Sequence, residues 1–259
     1  MPTGTRVRDV GAWLATAGDA LTSLFLSAGC RICDEVLTRA SRLPICEECL
    51  ASFEPLSKQI CRVCGIPLPT FAGASDEQRL CPECQNRTYA FDCVRSYALY
   101  DRAVIKAILL LKFERMEPLG AWFAARLAEI AEREAELLGA DVVVPVPLHR
   151  IREEERGYNQ ADLLARPLAK RLKQTCQPVL LVRTRPRPEK RLLSFDERWA
   201  SVRGAFATRP GTRVDNRRVL LVDDVLTTGA TLHACARALR EAGASSVVGL
   251  TVARAMPRP

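Results

Sequence analysis

The sequence predicts an α/β fold, a parallel sheet covered on both faces, preceded by a small cysteine-rich module. Three observations carry this. Eight of the 11 cysteines fall between positions 30 and 84 as four CxxC pairs. From about residue 91 onward, strand and helix patterns alternate as β-α-β units require. Several strand segments are uninterrupted apolar runs, such as Val142–Val144 and Val219–Val222, which suits strands buried on both faces.

The elements follow in chain order. Val10, Trp13, Leu14, Ala17, Leu21, Leu24 and Phe25 recur at helical spacing, so residues 1–29 read as an amphipathic helix. Asp19 interrupts the apolar stretch, and the run leads directly into Cys30, which argues against a signal peptide. Residues 30–90 form the cysteine module and 91–259 the α/β domain. In the latter, 93–100 is a strand and 101–113 a helix. Residues 118–139 form a long helix, with Pro118 in its first turn and Gly139 as its stop. A strand at 141–148 runs into a proline-stiffened loop. Residues 158–174 read as a helix that Pro167 should kink or break. Strands at 178–184 and 217–223, a helix at 230–244 and a last strand at 245–254 complete the chain.

With 48% hydrophobic and 26% charged residues, the composition excludes global disorder. No stretch of about 18–20 apolar residues occurs, so no membrane span is expected and the cytoplasm is the expected compartment. The net charge of +8 is concentrated. Between His149 and Arg218 there are 18 Lys+Arg against 8 Asp+Glu, while the remainder of the chain is slightly acidic. Such a zone suits phosphates or nucleic acid, although a merely soluble Arg-rich surface has the same composition.

The CxxC pairs are Cys30/Cys33, Cys46/Cys49, Cys61/Cys64 and Cys81/Cys84. Two thiolate pairs complete a tetrahedral shell, and zinc prefers soft ligands in that geometry. Disulfides and redox CxxC motifs are the alternatives; nothing in the sequence exports the chain, and four redox pairs exceed any need. The simplest grouping joins Cys30, Cys33, Cys46 and Cys49 around one zinc and Cys61, Cys64, Cys81 and Cys84 around another. The spacing also admits an interleaved grouping. Closed shells of this kind are structural, and the zinc is expected to lie away from the chemistry.

The segment VLLVDDVLTTGATL (219–232) places two adjacent acids at the end of an apolar strand. Thr227, Thr228, Gly229, Ala230 and Thr231 then lead into a helix whose N-terminal N–H groups and dipole favour an anion. Gly229 permits close backbone approach and the threonines add hydroxyl donors. Asp223 and Asp224 would reach a sugar's vicinal hydroxyls or a metal beside them. A phosphorylated ribose satisfies both halves. The P-loop pattern GxxxxGK[ST] is absent, and a plain capped strand-turn-helix joint leaves the paired acids unexplained.

VLLVDDVLTTGATL closely resembles the phosphoribosyl diphosphate (PRPP) signature of type I phosphoribosyltransferases. With the four CxxC pairs and PVPLHRIREEERGYNQA (145–161), the chain resembles the ComF competence-protein family, a double zinc ribbon joined to a Rossmann-like phosphoribosyltransferase domain. The lead-in LTSLFLSAGC also has its counterpart there. The resemblance implies that Asp223 and Asp224 hold the ribose hydroxyls with Mg²⁺ nearby, and that Thr227 to Thr231 cradle the 5′-phosphate. It places His149 at the pyrophosphate loop, with Arg152 and Arg156 as donors, and matches Lys106 and Lys112 to family lysines. Lys190 and Ser201 depart from the family's usual Gln and Asn in the loop that closes over the site. The implied partners are PRPP, and single-stranded DNA or the DNA-uptake machinery. Three functions are carried forward: phosphoribosyl transfer from PRPP, single-stranded DNA binding through the ribbons and basic zone, and a scaffold role. No residue identifies the phosphoribosyl acceptor.

Overall fold

A computed structural model describes residues 29–37, 41–56, 59–69, 79–186 and 194–256. The chain divides into two compact units, residues 1–53 and 54–259. Residues 1–28 of the helix expected over 1–29, and Lys190 in the closing loop, lie outside the described residues, while Gly29 forms an isolated bridge with Val36.

In the first unit the backbone folds around Cys30. The N–H groups of Cys46 and Ile32 point at its sulfur, at 3.3 and 3.5 Å. Cys46 caps a short helix, α1 (Glu47–Ala51), its sulfur accepting from the Cys49 N–H.

The second unit repeats this pattern. Cys61 N–H donates to Ile66 O as Cys30 N–H does to Glu35 O. Cys81 N–H points at the Cys61 sulfur at 3.4 Å and precedes α2 (Pro82–Asn86).

The remainder of the second unit is a five-stranded, all-parallel sheet with spatial order β1-β7-β6-β2-β3. The strands are β1 (Cys93–Leu99), β2 (Val142–Pro145), β3 (Thr175–Cys176), β6 (Arg218–Leu226) and β7 (Ser246–Arg254). A separate antiparallel pair, β4 (Leu181–Arg183) and β5 (Phe206–Thr208), stands beside it. Helices α3 (Arg102–Phe113), α4 (Glu117–Arg133) and α7 (Gln160–Leu172) cover one face, and α9 (Ala230–Glu241) with β4–β5 covers the other. Helices on both faces are why Val142–Val144 and Val219–Val222 are buried without alternation. The outer edge of β1 is not left open: Val94 N–H donates to Val63 O and Leu56 N–H to Tyr97 O, so backbone from the ribbon side pairs with it.

Several details differ from the sequence-based expectation. The long helix breaks at Glu134, giving α4 and α5 (Ala135–Leu138); there the Glu134 carboxylate turns to the buried Arg95, 2.7 Å from its Nε. The expected loop after β2 contains a helix, α6 (Arg150–Arg156), supported by the i,i+4 pair Arg150–Glu154. Helix α7 runs through Pro167 without ending. Pro167 removes the N–H that would bond the Leu163 carbonyl, and that carbonyl lies against Gly120 of α4, where an added Cβ would come within 2.7 Å of it. Finally, β6 extends past Asp223 to Leu226, so both acids lie within the strand. The remaining helix, α8 (Phe195–Val202), opens with a capping box between Ser194 and Glu197.

Candidate functional site

Two cysteine clusters stand out. In each, four sulfurs lie within 4.8 Å of one another: Cys30, Cys33, Cys46 and Cys49 in the first, Cys61, Cys64, Cys81 and Cys84 in the second. The grouping is therefore consecutive, not interleaved. A tetrahedral zinc with Zn–S near about 2.3 Å requires sulfurs roughly 3.8 Å apart. The Cys33–Cys46 and Cys64–Cys81 separations are 3.7 and 3.6 Å. Such sulfurs cannot all ionise together without a cation. Hydrogen bonds from Cys64 and Cys84 pull the Cys61 thiol far below its ordinary range, whereas bonding to Cys61 pushes Cys64 up to about 11. The donor set fits a structural zinc in each cluster.

The acids on β6 have unlike surroundings because successive strand residues point to opposite faces. Asp224 is buried, and its Oδ2 lies 3.0 Å from Lys112 Nζ on α3. Burial disfavours the Lys112 ammonium, but the Asp224 charge outweighs this and holds its pKa above the usual lysine value. Asp223 lies in register with Thr251 on β7, which in turn shares a 2.7 Å hydrogen bond with Ser96 on β1. Burial and the neighbouring Asp224 charge push the Asp223 carboxyl up to about 7, with Lys112 and Arg183 opposing. The Asp223 Oδ1 accepts from the Asp224 N–H at 2.8 Å.

Beyond Leu226 the chain turns through Thr227 and Thr228 to Gly229, whose φ of 81° is left-handed. An added Cβ there would lie 2.9 Å from Tyr89 Cε1, so glycine is required on both counts. Helix α9 begins at Ala230, and its first-turn N–H groups, those of Thr231 and Leu232 included, have no intrahelical acceptor.

The residues of 145–160 arrive from the adjacent strand. Pro145 is in register with Val222, and Val146 N–H donates to Val222 O, so the 146–149 turn leaves the sheet beside the acids. His149 caps α6 through Nδ1, which accepts from Ile151 N–H. Gly157 ends that helix, and the Tyr158 hydroxyl donates to Leu111 O at the end of α3. Asn159 caps α7 and donates to Val146 O at 3.0 Å, tying the turn to its helix. Arg156 is bonded to Gln160 and its guanidinium lies over the Phe113 ring. Arg152 is exposed and paired with Glu155. It is Lys112 whose ammonium reaches Asp224; Lys106 lies a turn and a half earlier on the exposed part of α3. Ser201 lies on α8, its hydroxyl donating to Arg198 O.

The second cysteine cluster is not remote from this site, contrary to expectation. The buried Arg254 at the end of β7 donates through Nη1 to the carbonyls of Leu226 and Thr227, and its Nη2 lies 3.8 Å from Cys64 Sγ. Tyr89, five residues past Cys84, donates to Thr228 O at 3.2 Å. Neither residue belongs to a motif. A buried arginine at the end of an apolar strand was the one sequence signal.

The family description Phosphoribosyl transferase domain matches residues 160–257, and Double zinc ribbon domain matches residues 21–85. The protein is thus a type I phosphoribosyltransferase-fold protein with an N-terminal double zinc ribbon. It is similar to Competence protein F of Haemophilus influenzae, 29% identical over 81% of this chain and 96% of that protein. The DNA utilization protein YhgH of Escherichia coli is 31% identical over 78% of this chain and 87% of its own length. Competence protein ComFC of Bacillus subtilis is 30% identical over 81% and 84%. The chain belongs to the ComF family. Among solved structures, a glutamine PRPP amidotransferase from B. subtilis is 25% identical over 51% of this chain and 26% of that one, with a TM-score of 0.34. Among the described residues, no helix is long and apolar enough to cross a membrane.

Proposed function

We propose that the protein binds PRPP with Mg²⁺ in the segment Asp223–Thr231 and transfers its phosphoribosyl group, in the service of DNA utilization or uptake. One observation carries the proposal: two adjacent acids, one of them paired with Lys112, stand at the end of β6 shortly before a left-handed glycine and a helix N-terminus. The Thr227–Thr231 turn would receive the 5′-phosphate on its N–H and hydroxyl groups. Asp223 and Asp224 would orient the ribose hydroxyls, with Lys112 fixing the Asp224 carboxylate. His149, Arg152 and Arg156 would face the pyrophosphate. Mg²⁺, when bound, would supply charge stabilisation to the departing pyrophosphate. The two zincs hold the ribbons and take no part in the chemistry. The DNA role follows the names of the relatives in H. influenzae, E. coli and B. subtilis.

Calorimetric titration with Mg-PRPP tests the binding. Saturable binding lost in Asp223→Ala and Asp224→Ala is expected, and unaltered affinity in both variants refutes the assignment. Pyrophosphate release against a panel of nucleobases, nucleotides and oligonucleotides tests turnover.

Direct binding of single-stranded DNA is a second reading, favoured by a cleft of about 530 Å³ lined by Arg87, Trp199, Arg203, His233 and Arg237. The Arg87 guanidinium lies 4.3 Å from the Trp199 ring centroid, a pairing of charge and aromatic surface that suits a nucleotide chain. Oligonucleotide affinity that falls steeply with salt, and drops in Arg203→Ala and Arg237→Ala while Mg-PRPP affinity persists, would support this reading.

A further inference from the structure

The second cysteine cluster and the Thr227–Gly229 turn are far apart in sequence, yet two side chains join them directly. Arg254 gathers the carbonyls of Leu226, Thr227 and, at 2.6 Å, Ala255 on one guanidinium nitrogen, and reaches toward Cys64 Sγ with another. Tyr89 takes the next carbonyl, that of Thr228. Its ring is stacked on Phe91 with centroids 4.6 Å apart and fills the space beneath Gly229.

The direction of these bonds matters. A trans peptide holds its C=O and N–H antiparallel. Drawing the Thr227 and Thr228 carbonyls toward Arg254 and Tyr89 therefore turns the N–H groups of Thr228 and Gly229 the opposite way. Successive N–H groups aimed to one side make an anion-binding concavity. They stand immediately before the N-terminus of α9, which adds its own donors.

Both side chains depend on the cluster for their footing. Four thiolates around one divalent zinc carry a net charge of −2, and the Arg254 guanidinium is the cation against it. Tyr89 follows directly on α2, the short helix whose start is set by Cys81 and which carries Cys84. With zinc bound, Cys64, Cys81 and Cys84 share one fixed centre. Without it, neither the arginine's sulfur contact nor the start of the Tyr89 segment is pinned.

We infer that Arg254 and Tyr89 are positioning residues through which zinc in the Cys61–Cys84 cluster braces the Thr227–Gly229 turn, so that metal loading there sets the order and anion affinity of the turn. The anion-affinity half rests on the PRPP-binding reading; the ordering half does not.

The test uses the full chain. Zinc content and amide hydrogen exchange over residues 226–232 are measured without ligand in the wild type, Arg254→Met, Tyr89→Phe, Cys84→Ser and, for the other cluster, Cys33→Ser. Expected is faster exchange over 226–232 in Arg254→Met with zinc retained, and in Cys84→Ser with one zinc lost, against wild-type exchange there in Cys33→Ser. Unaltered exchange in Arg254→Met and Cys84→Ser overturns the inference, and so does the same loosening in Cys33→Ser. Tyr89→Phe, a milder change than the cysteine variants, should loosen the turn by itself. Ribose 5-phosphate, whose phosphate the Thr227–Thr231 turn would receive, is then titrated. Linkage requires that it raise the equilibrium zinc affinity of the Cys61–Cys84 cluster, read by competition with a chelator, by the same factor by which that zinc raises its own affinity, within about 5- to 150-fold. Arg254→Met should abolish this coupling, bringing both factors to one, which a merely structural residue would leave in place. If exchange behaves as expected but ribose 5-phosphate does not bind the wild type, the PRPP reading falls and the brace stands.

Discussion

Lys112 and Asp224 form an ion pair between helix α3 and strand β6, with 3.0 Å between Nζ and Oδ2, and only the lysine retains appreciable contact with solvent. The pair gives one of the two acids a cation at contact distance and leaves the other, Asp223, in a different electrostatic position. Breaking it from either side has a calculable cost.

Lys112→Met leaves Asp224 buried without its cation. Removing one partner of a buried pair costs about 3–5 kcal/mol, and the lysine's partial exposure puts the expected loss near the lower end. The double variant Lys112→Met/Asp224→Asn should recover a large part of it. Urea unfolding of the four species measures the coupling directly.

Asp223 predicts a pH dependence of definite sign. Its folded pKa of about 7 is raised above the unfolded value of about 3.9, so the folded state holds its proton more tightly. The associated stability is complete below about pH 4 and is lost as the pH rises toward 7. Asp223→Asn should remove this decline and be more stable than the wild type at pH 8 by on the order of 4 kcal/mol. Thermal melts from pH 4 to 8 in Mg²⁺-free buffer check it; parallel curves for the two proteins would contradict the assignment.

The purified chain should contain two zinc ions, one per cysteine cluster. Each of Cys30→Ser and Cys61→Ser should reduce this to one. Chelation should lower the melting temperature sharply, because structural zinc contributes about 10–16 kcal/mol of apparent binding free energy in small zinc modules. Metal analysis with a chromophoric chelator settles the stoichiometry.

Asn159 caps α7 and also bonds the Val146 carbonyl. Asn159→Ala should cost about 1–2 kcal/mol through loss of the cap. It should also free the 146–149 turn, seen as faster amide exchange there, while Asn159→Asp should retain the cap and lose the bond to Val146.

Much of this architecture was legible in the residues themselves. The apolar runs 142–144 and 219–222 identified buried parallel strands, and the CxxC spacing identified the metal clusters, because both signals are local. The adjacent acids before Thr227–Thr231 were visible for the same reason. What stayed hidden depended on distant partners. The extension of β6 to Leu226 comes from pairing with β7, which continues through the register of Leu226 with Arg254. Pro167 reads as a breaker until Gly120 of another helix is placed against Leu163. Helix α6 was readable in hindsight from the pairing of arginines and glutamates in 150–156. Arg254 and Tyr89 gave no motif at all; their roles exist only once the ribbon side and the end of β7 come together.

The alternation along β6 works as an addressing system. Two chemically identical side chains, on adjacent residues, are delivered to opposite faces of the sheet: one facing a lysine, the other in register with Thr251. A slip of one residue against β2 and β7 would exchange the two deliveries and move the charged carboxylate to the wrong side of the sheet. The fidelity of strand pairing in the core therefore determines which aspartate meets the lysine and which is left to other partners.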